Sequence, residues 1–515
     1  LLGSGVAALG GAGALARLLA DPVNLRAAEN SFSEGGASAA AAVAIGYPVG
    51  VFLARTRVPG RPFLLATLLV PFLLPTVAVA LGVEEAFGPG GVFGSVAPGL
   101  VVLGSGFAGV VVANVIFNAP VVVLLTIVGV ESASLELEET VASLGGGPIE
   151  AFRRVWGRPS LLGGLCGGLV AFLFSALAFA GPILIGGAPW YTLEARVYVL
   201  AQTLGEGPQA AGLALVTVAL LAPVTILYVG ISARLRGGPS RPRPGPRAFD
   251  RRSPVAWVLG GWTVLTGSAV VALLAIIEER GFSPIAPGAP WGSALPELFG
   301  PHVRALLGVS TADAAFNTVL FATLASLTAL SLALAASFTL ARRPRAHRAL
   351  GALAFAPLLI SPVVLSLGLT GFVRPALGGE SAVPLLIVVS QATLALPFAL
   401  QAIGLSVGAT TPGPGESARA LGASPWQAYL DVELPRARSG ILAAGLFAFA
   451  LGVGEFTATN FLASPSSTTL SVELYHLESV RLGSLAPAVA ALLVLTSLAV
   501  FFVVAAWGEG RADVL

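Results

Sequence analysis

Eleven runs of about 20 apolar residues dominate this sequence, near 35–54, 63–84, 100–129, 160–186, 208–231, 254–277, 314–340, 349–372, 382–407, 437–463 and 483–507. A bilayer's hydrocarbon core takes about 20 helical residues to cross. Backbone facing lipid must satisfy its own hydrogen bonds, which leaves helices or a closed barrel. A barrel would show short alternating segments, and these runs are continuous. A twelfth run at 1–20, rich in Ala and Gly, is expected to be a first span cut short, because the chain starts at Leu1 and has no Met. Only 10% of the residues are charged, against about 25% in a soluble domain. An ordinary cytosolic enzyme is thereby excluded, and the reading is an all-α polytopic membrane protein.

The basic residues sharpen it. All 28 are arginine. Without lysine the chain has no P-loop lysine, Schiff-base lysine or kinase-type lysine. Cys166, alone, allows no internal disulfide or cysteine cluster and reads as a packing residue. His302, His347 and His476 are scattered over loops and give no metal-ligand spacing. The expectation is no catalytic residue, no metal and no cofactor in this chain. A net charge of +2 is too small to argue for nucleic acid. If the spans alternate, 21 of the 28 arginines fall on one side, from Arg55, Arg57 and Arg61 to Arg511. The excess of positive charge marks that face as cytoplasmic.

The chain also repeats itself at long range. An offset of 277 places Pro120 on Pro397, Glu139 on Glu416, Leu144 on Leu421, Gly145 on Gly422, Pro148 on Pro425 and Tyr198 on Tyr475. Upstream the offset is 286 or 287, and Asn30 and Arg55 match Asn317 and Arg342. Each half then holds six spans. An even number returns the chain to the side it left, so the halves are expected to lie parallel, related by a pseudo-two-fold along the membrane normal. The expected organisation is a first half at 1–232, an Arg/Pro/Gly-rich linker at 233–253 and a second half at 254–515. The linker's composition suits an exposed connection able to touch anionic lipid.

Two matched loops after the fourth span of each half carry the most information. The first reads Glu139-Thr140-Val141-Ala142-Ser143-Leu144-Gly145, then Pro148. The second reads Glu416-Ser417-Ala418-Arg419-Ala420-Leu421-Gly422, then Pro425, and later Val432, Leu434 and Pro435. A short helix meets a glycine that permits a sharp turn, and a proline three residues on suits the first turn of another helix. Such a pair makes a firm knob that can dock a groove in a partner.

These residues resemble the EAA motif of ABC importer permeases. The second copy keeps the spacing. In the first, Trp156, Gly157 and Arg158 replace the expected tail and Pro159 comes one residue late. The resemblance implies the type I ABC importer fold, two ATPase subunits gripping the two loops, and an extracytoplasmic substrate-binding protein that delivers a small molecule. ATP would be hydrolysed by those partners. Further stretches resemble thiamine permeases: Pro71-Phe72-Leu73-Leu74-Pro75-Thr76, Val115-Ile116-Phe117-Asn118-Ala119-Pro120, Ile185-Gly186-Gly187-Ala188-Pro189 and Gly454-Glu455-Phe456. Thiamine is therefore the favoured ligand and ferric iron the alternative. A secondary transporter with parallel six-span repeats is the rival class, but the paired loops have no role in it.

Polar groups inside the spans are candidates for the pathway. Asn114 and Asn118 share a helix face at i and i+4, and the repeat places Gln391 opposite Asn114. They could line a polar path or hydrogen-bond neighbouring helices. Glu455 could meet a cation. A Gly-Glu-Phe stretch that recurs in oxyanion permeases favours instead a group that pins its helix by hydrogen bonds.

Overall fold

The computed structural model describes residues 12–187, 190–235, 247–248, 253–342, 361–409, 413–480 and 482–509. Among them, seven helices are long and apolar enough to cross a membrane: Pro22–Arg55, Gly106–Glu131, Pro148–Ala176, Gly207–Ser232, Pro254–Phe282, Thr311–Thr339 and Gly379–Leu400. Two bent pairs raise the number to nine if each is one span. Phe63–Leu73 meets Thr76–Val96 at 102°, and Pro425–Arg436 meets Gly440–Gly454 at 74°. The first bend has a covalent cause: Pro75 lacks an N–H and disfavours helix at the residue before it. Of the shorter apolar helices, Pro362–Ala376 overlaps the run expected at 349–372 and Ala486–Ala499 falls within that at 483–507. Residues 343–360 lie outside the described residues, as does the beginning of the run at 1–20.

The helix Pro22–Arg55 starts well before the run at 35–54. Pro22 occupies its first position and the Asp21 carboxylate accepts from the Val23 N–H at 2.8 Å, a cap joined to a pre-set φ. Its early turns carry Asn24, Arg26, Glu29, Asn30, Ser31, Ser33 and Glu34, so hydropathy alone begins the helix too late. At 1.5 Å per residue its 34 residues span ~51 Å, more than a hydrocarbon core needs. Glycines let this helix, Gly106–Glu131 and Gly157–Ala176 approach one another. A Cβ on Gly163 would stand 2.3 Å from the Leu125 carbonyl, and one on Gly46 would stand 2.8 Å from that of Ala119. In lipid, where apolar burial between helices gains little, such backbone contact drives packing.

The chain divides into two compact units. One comprises Leu2–Phe72 and Val79–Glu279; the other comprises Leu73–Ala78 and Arg280–Leu515, with Leu1. In the first, Val49, Phe52, Leu53, Leu68, Val123, Ile127 and Val130 form a buried cluster. The helix Pro254–Phe282 contributes to this unit: the Trp262 indole donates to the Ile45 carbonyl at 3.2 Å, and Ile277 packs against Gly82. In the second, Phe321, Ala325, Leu386, Ile387, Ala395 and Ala448 form a core. Gly454 lies against the backbone of Leu73 and Leu74. Compactness thus divides the chain at 279/280, one helix beyond the linker.

The repeat is visible in individual hydrogen bonds. Asn30 Nδ2 donates to the Tyr191 carbonyl at 3.1 Å, and Asn317 Nδ2 to that of Thr468 at 3.0 Å. Ser31 Oγ accepts from the Leu193 N–H, and Thr318 Oγ1 from that of Leu470, both at 2.9 Å. Phe179 packs on Tyr198 at 4.8 Å, and Phe456 on Tyr475 at 5.4 Å. All of these pairs obey the offsets of 287 and 277. A further contact has no counterpart among the described residues: Thr56–Arg57, just past the end of Pro22–Arg55, pairs in parallel with Arg247–Ala248 of the linker.

Candidate functional site: two matched loops and the buried polar groups

The two loop helices end in the same way. In the first, the helix Leu135–Ser143 is capped by Ser134, whose hydroxyl accepts from the Leu137 N–H at 3.3 Å, and carries Glu136 and Glu138 in its first turn. It ends on Gly145 at φ 79°. The Gly146 N–H donates to the Val141 carbonyl at 2.8 Å and the Gly145 N–H to that of Ala142 at 3.0 Å. In the second, Gly413–Ala420 ends on Gly422 at φ 97°. The Ala423 N–H donates to the Ala418 carbonyl and the Gly422 N–H to that of Arg419, both at 3.0 Å. Both are Schellman endings, which need a left-handed residue. Pro148 and Pro425 then open the next helices, and Ser424 with Gln427 forms a capping box.

Each glycine is preceded by a bare leucine: Leu144 is 82% exposed and Leu421 89%. Glu139, Ala142, Pro148, Glu416, Pro425 and Pro435 are exposed too, while Ala418 and Leu434 are half-buried.

What anchors each loop differs. Glu138, buried beneath the first loop, takes both guanidinium nitrogens of Arg55, with Nη1 to Oε2 at 2.9 Å. The Arg55 guanidinium also lies 4.8 Å from the Trp156 ring centroid, within cation–π range. A cavity of about 240 Å³ adjoins this cluster, lined by Arg55, Glu138, Gly147, Pro148, Trp156 and Ser253 among others. In the second loop the Tyr429 hydroxyl bonds Ser337 Oγ at 2.8 Å and the Leu334 carbonyl at 2.9 Å. Phe338 packs edge-on against Trp426 at 4.7 Å and Tyr429 at 5.1 Å. The repeat places Gly415 at the position of Glu138 and Glu433 at that of Trp156. A Cβ on Gly415 would stand 2.7 Å from a Glu433 carboxylate oxygen. A carboxylate therefore lies beside both loop helices, from the loop helix itself in one half and from the following helix in the other.

The intramembrane polar groups form two separate clusters. In the first unit Asn114 Nδ2 donates to Glu34 Oε1 at 2.7 Å. Asn118 Nδ2 donates to the Asn114 carbonyl at 2.9 Å and to Ser175 Oγ at 3.2 Å. The Trp190 indole lies 3.5 Å from Glu34 Oε2. In the second unit Gln391 Nε2 donates to Thr459 Oγ1 at 3.3 Å, and that hydroxyl donates to Glu455 at 2.6 Å. Glu455 also accepts from the Ala458 and Thr459 N–H groups at 2.6 and 2.8 Å. Both its oxygens are engaged at the start of the helix Thr457–Leu462, where a carboxylate complements the unpaired N–H groups and the dipole. This geometry gives the pinning role a concrete form. Glu34, fully buried, escaped the sequence reading because it lies just ahead of the apolar run. The spacing of Ser31, Glu34 and Ser38 along one helix face was the available signal. Ala188 and Pro189, in the thiamine-permease-like stretch, lie outside the described residues.

A largely helical chain with seven to nine candidate membrane spans among its described residues is a polytopic membrane protein. The profile of the binding-protein-dependent transport system inner membrane component matches residues 329–507. The thiamine transport system permease protein ThiP of Brucella suis is 26% identical over 493 residues, covering 92% of this chain and 85% of that protein. The ThiP of Salmonella typhimurium is 23% identical over 445 residues, 83% of this chain and 79% of that one. The molybdenum transport system permease protein ModB of Azotobacter vinelandii is 30% identical over 154 residues, 27% of this chain and 68% of that one. The chain belongs to the family of binding-protein-dependent transport system inner membrane components and has the type I importer permease fold.

Proposed function

We propose that this protein is the permease of an ATP-driven importer of thiamine, with two ATPase subunits seated on its two matched loops. The observation that carries the coupling is the pair of Schellman-ended helices presenting Leu144 and Leu421 to the surrounding solution. The loops lie on the cytoplasmic face, with the linker and the C-terminus. Closure of the ATPases drives the loops together, and the attached spans alternate between outward-open and inward-open states. The chain supplies a pathway and a lever. Thiamine is favoured because the thiamine permeases resemble this chain along most of its length, whereas the molybdenum permease from Azotobacter vinelandii matches 27% of it.

The test is uptake by vesicles holding the permease, its ATPase and its binding protein, with labelled thiamine, ferric iron or molybdate outside. ATP-dependent thiamine uptake, lost in Gly422→Asp, is the expected result. A side chain at φ 97° costs ~1–2 kcal/mol of local strain, and the new charge lies beside the docking leucine. Uptake of iron or molybdate in place of thiamine would overturn the ligand and keep the importer. Uptake indifferent to ATP and to the substitution would sink the importer and favour a secondary transporter.

A further inference from the structure

We propose that Arg55 and Glu138 are positioning residues that make the first coupling loop move as one body with the helix Pro22–Arg55. The inference rests on the coupling role assigned to that loop above.

The helix Leu135–Ser143 is short, and its outer face is left to solvent by Glu139, Ala142 and Leu144. Something must hold it if force applied at Leu144 is to reach a span. Glu138 is 3% exposed and binds Arg55 through both oxygens. Two parallel bonds fix orientation as well as distance, which one contact cannot do. Arg55 is the last residue of a 34-residue helix, so the pair joins the loop to the end of a rigid rod. The Trp156 ring covers the guanidinium on one side, and Trp156 sits at the π turn Phe152–Trp156 within the helix Pro148–Ala176. Three segments thus meet at one guanidinium: the loop helix, the long helix before it and the helix after it.

The neighbouring cavity makes the tether consequential. A cavity borders the pair, and among the described residues the buried Trp156 indole N–H has no hydrogen-bond partner. A gap in the packing beside the pair leaves fewer apolar contacts to share the connection. At the second loop the Tyr429 hydroxyl and the ring of Phe338 bind the segment after the turn to the helix Thr311–Thr339. Removing one partner of a buried pair leaves the other uncompensated, so the first loop alone should loosen.

The experiment uses the full permease in vesicles with its ATPase and binding protein, comparing wild type, Glu138→Gln, Arg55→Gln and the exchanged pair Arg55→Glu with Glu138→Arg. Two quantities are read: thiamine imported per ATP hydrolysed, and amide hydrogen exchange at residues 135–147 and 413–423. Each single variant should keep the ATPase bound and hydrolysing while imported thiamine per ATP falls about tenfold, within the range of a coupling between sites. Exchange should speed up at 135–147 and stay unchanged at 413–423. The exchanged pair should recover part of both. An unchanged import ratio would overturn the proposal even with faster exchange, since the pair would then only hold the fold. A lower ratio with unchanged exchange would also overturn it. If wild type itself shows no ATP-dependent uptake, the coupling role of the loop fails first; that failure is read from the control alone.

Discussion

A buried ion pair lies behind the first loop, and a tyrosine hydroxyl with packed rings lies behind the second, yet both loop helices end in the same hydrogen-bond pattern around a left-handed glycine. Arg55 and Glu138 do in one half what Tyr429, Ser337 and Phe338 do in the other. The lesson is that the feature a partner would touch is held constant: helix, left-handed glycine, bare leucine, proline. The fastening behind it has been free to change. A carboxylate survives at both places, but it comes from position 138 in one half and position 433 in the other.

The largest effect should come from removing what the two loops share. Leu144→Asp with Leu421→Asp should abolish ATPase capture, a loss of at least a hundredfold in affinity if both are hot spots of about 2 kcal/mol. Both side chains are in the open, so thermal stability should barely change. Pull-down of the ATPase by the purified permease checks this, and normal capture would break the equivalence of the loops. Next in size is Tyr429→Phe, which deletes a hydroxyl bonded to Ser337 and Leu334. It should cost about 1–2 kcal/mol, the scale of one or two net hydrogen bonds. Hydrogen exchange should speed at 413–436 and not at 135–156, the mirror image of Glu138→Gln.

The smallest effect concerns another pair of repeat-related positions. The first half holds Arg196, whose Nε donates to Asn24 Oδ1 at 3.0 Å; the second holds Glu473 beside Thr311. Burial pushes the Glu473 carboxyl up from 4.5 to about 7. The Thr311 hydroxyl has one hydrogen and two oxygens in reach, Glu473 and the Leu298 carbonyl at 2.7 Å, an arrangement that a protonated Glu473 satisfies. Between pH 4.5 and 7 the folded protein then holds a proton that the unfolded chain has released. Stability from this group is full below 4.5 and is lost as pH rises through about 7. Glu473→Gln should flatten the melting temperature across that window, while Arg196→Gln should leave its slope in place. An unchanged slope in Glu473→Gln would show that the carboxyl titrates normally.

Much of this architecture was legible in the residues. Apolar runs located the seven helices that are long enough to span among the described residues, because lipid leaves the backbone few choices. The glycine and proline of each loop gave away its turn, since their backbone preferences are intrinsic and local. What escaped notice depended on tertiary neighbours. Glu139 carries the motif, but the buried, paired carboxylate is Glu138, and only the position of Arg55 decides between them. Glu455 looked like a charge stranded in an apolar span until the bend at Glu455–Phe456 supplied three donors. Glu34 lay in a polar stretch that gave no hint of helix, yet that stretch continues the long helix and buries it.

The most direct test of the docking account is site-specific cross-linking to the ATPase. Cys166 is the only native cysteine, so Cys166→Ser gives a clean background in which Leu144→Cys and Leu421→Cys can be introduced one at a time. In vesicles carrying the assembled transporter, a short bifunctional reagent should join each position to an ATPase subunit, and ATP should change the yield at both. Cross-links from neither position, with the ATPase still bound and active, would contradict the assignment of these loops as the coupling elements.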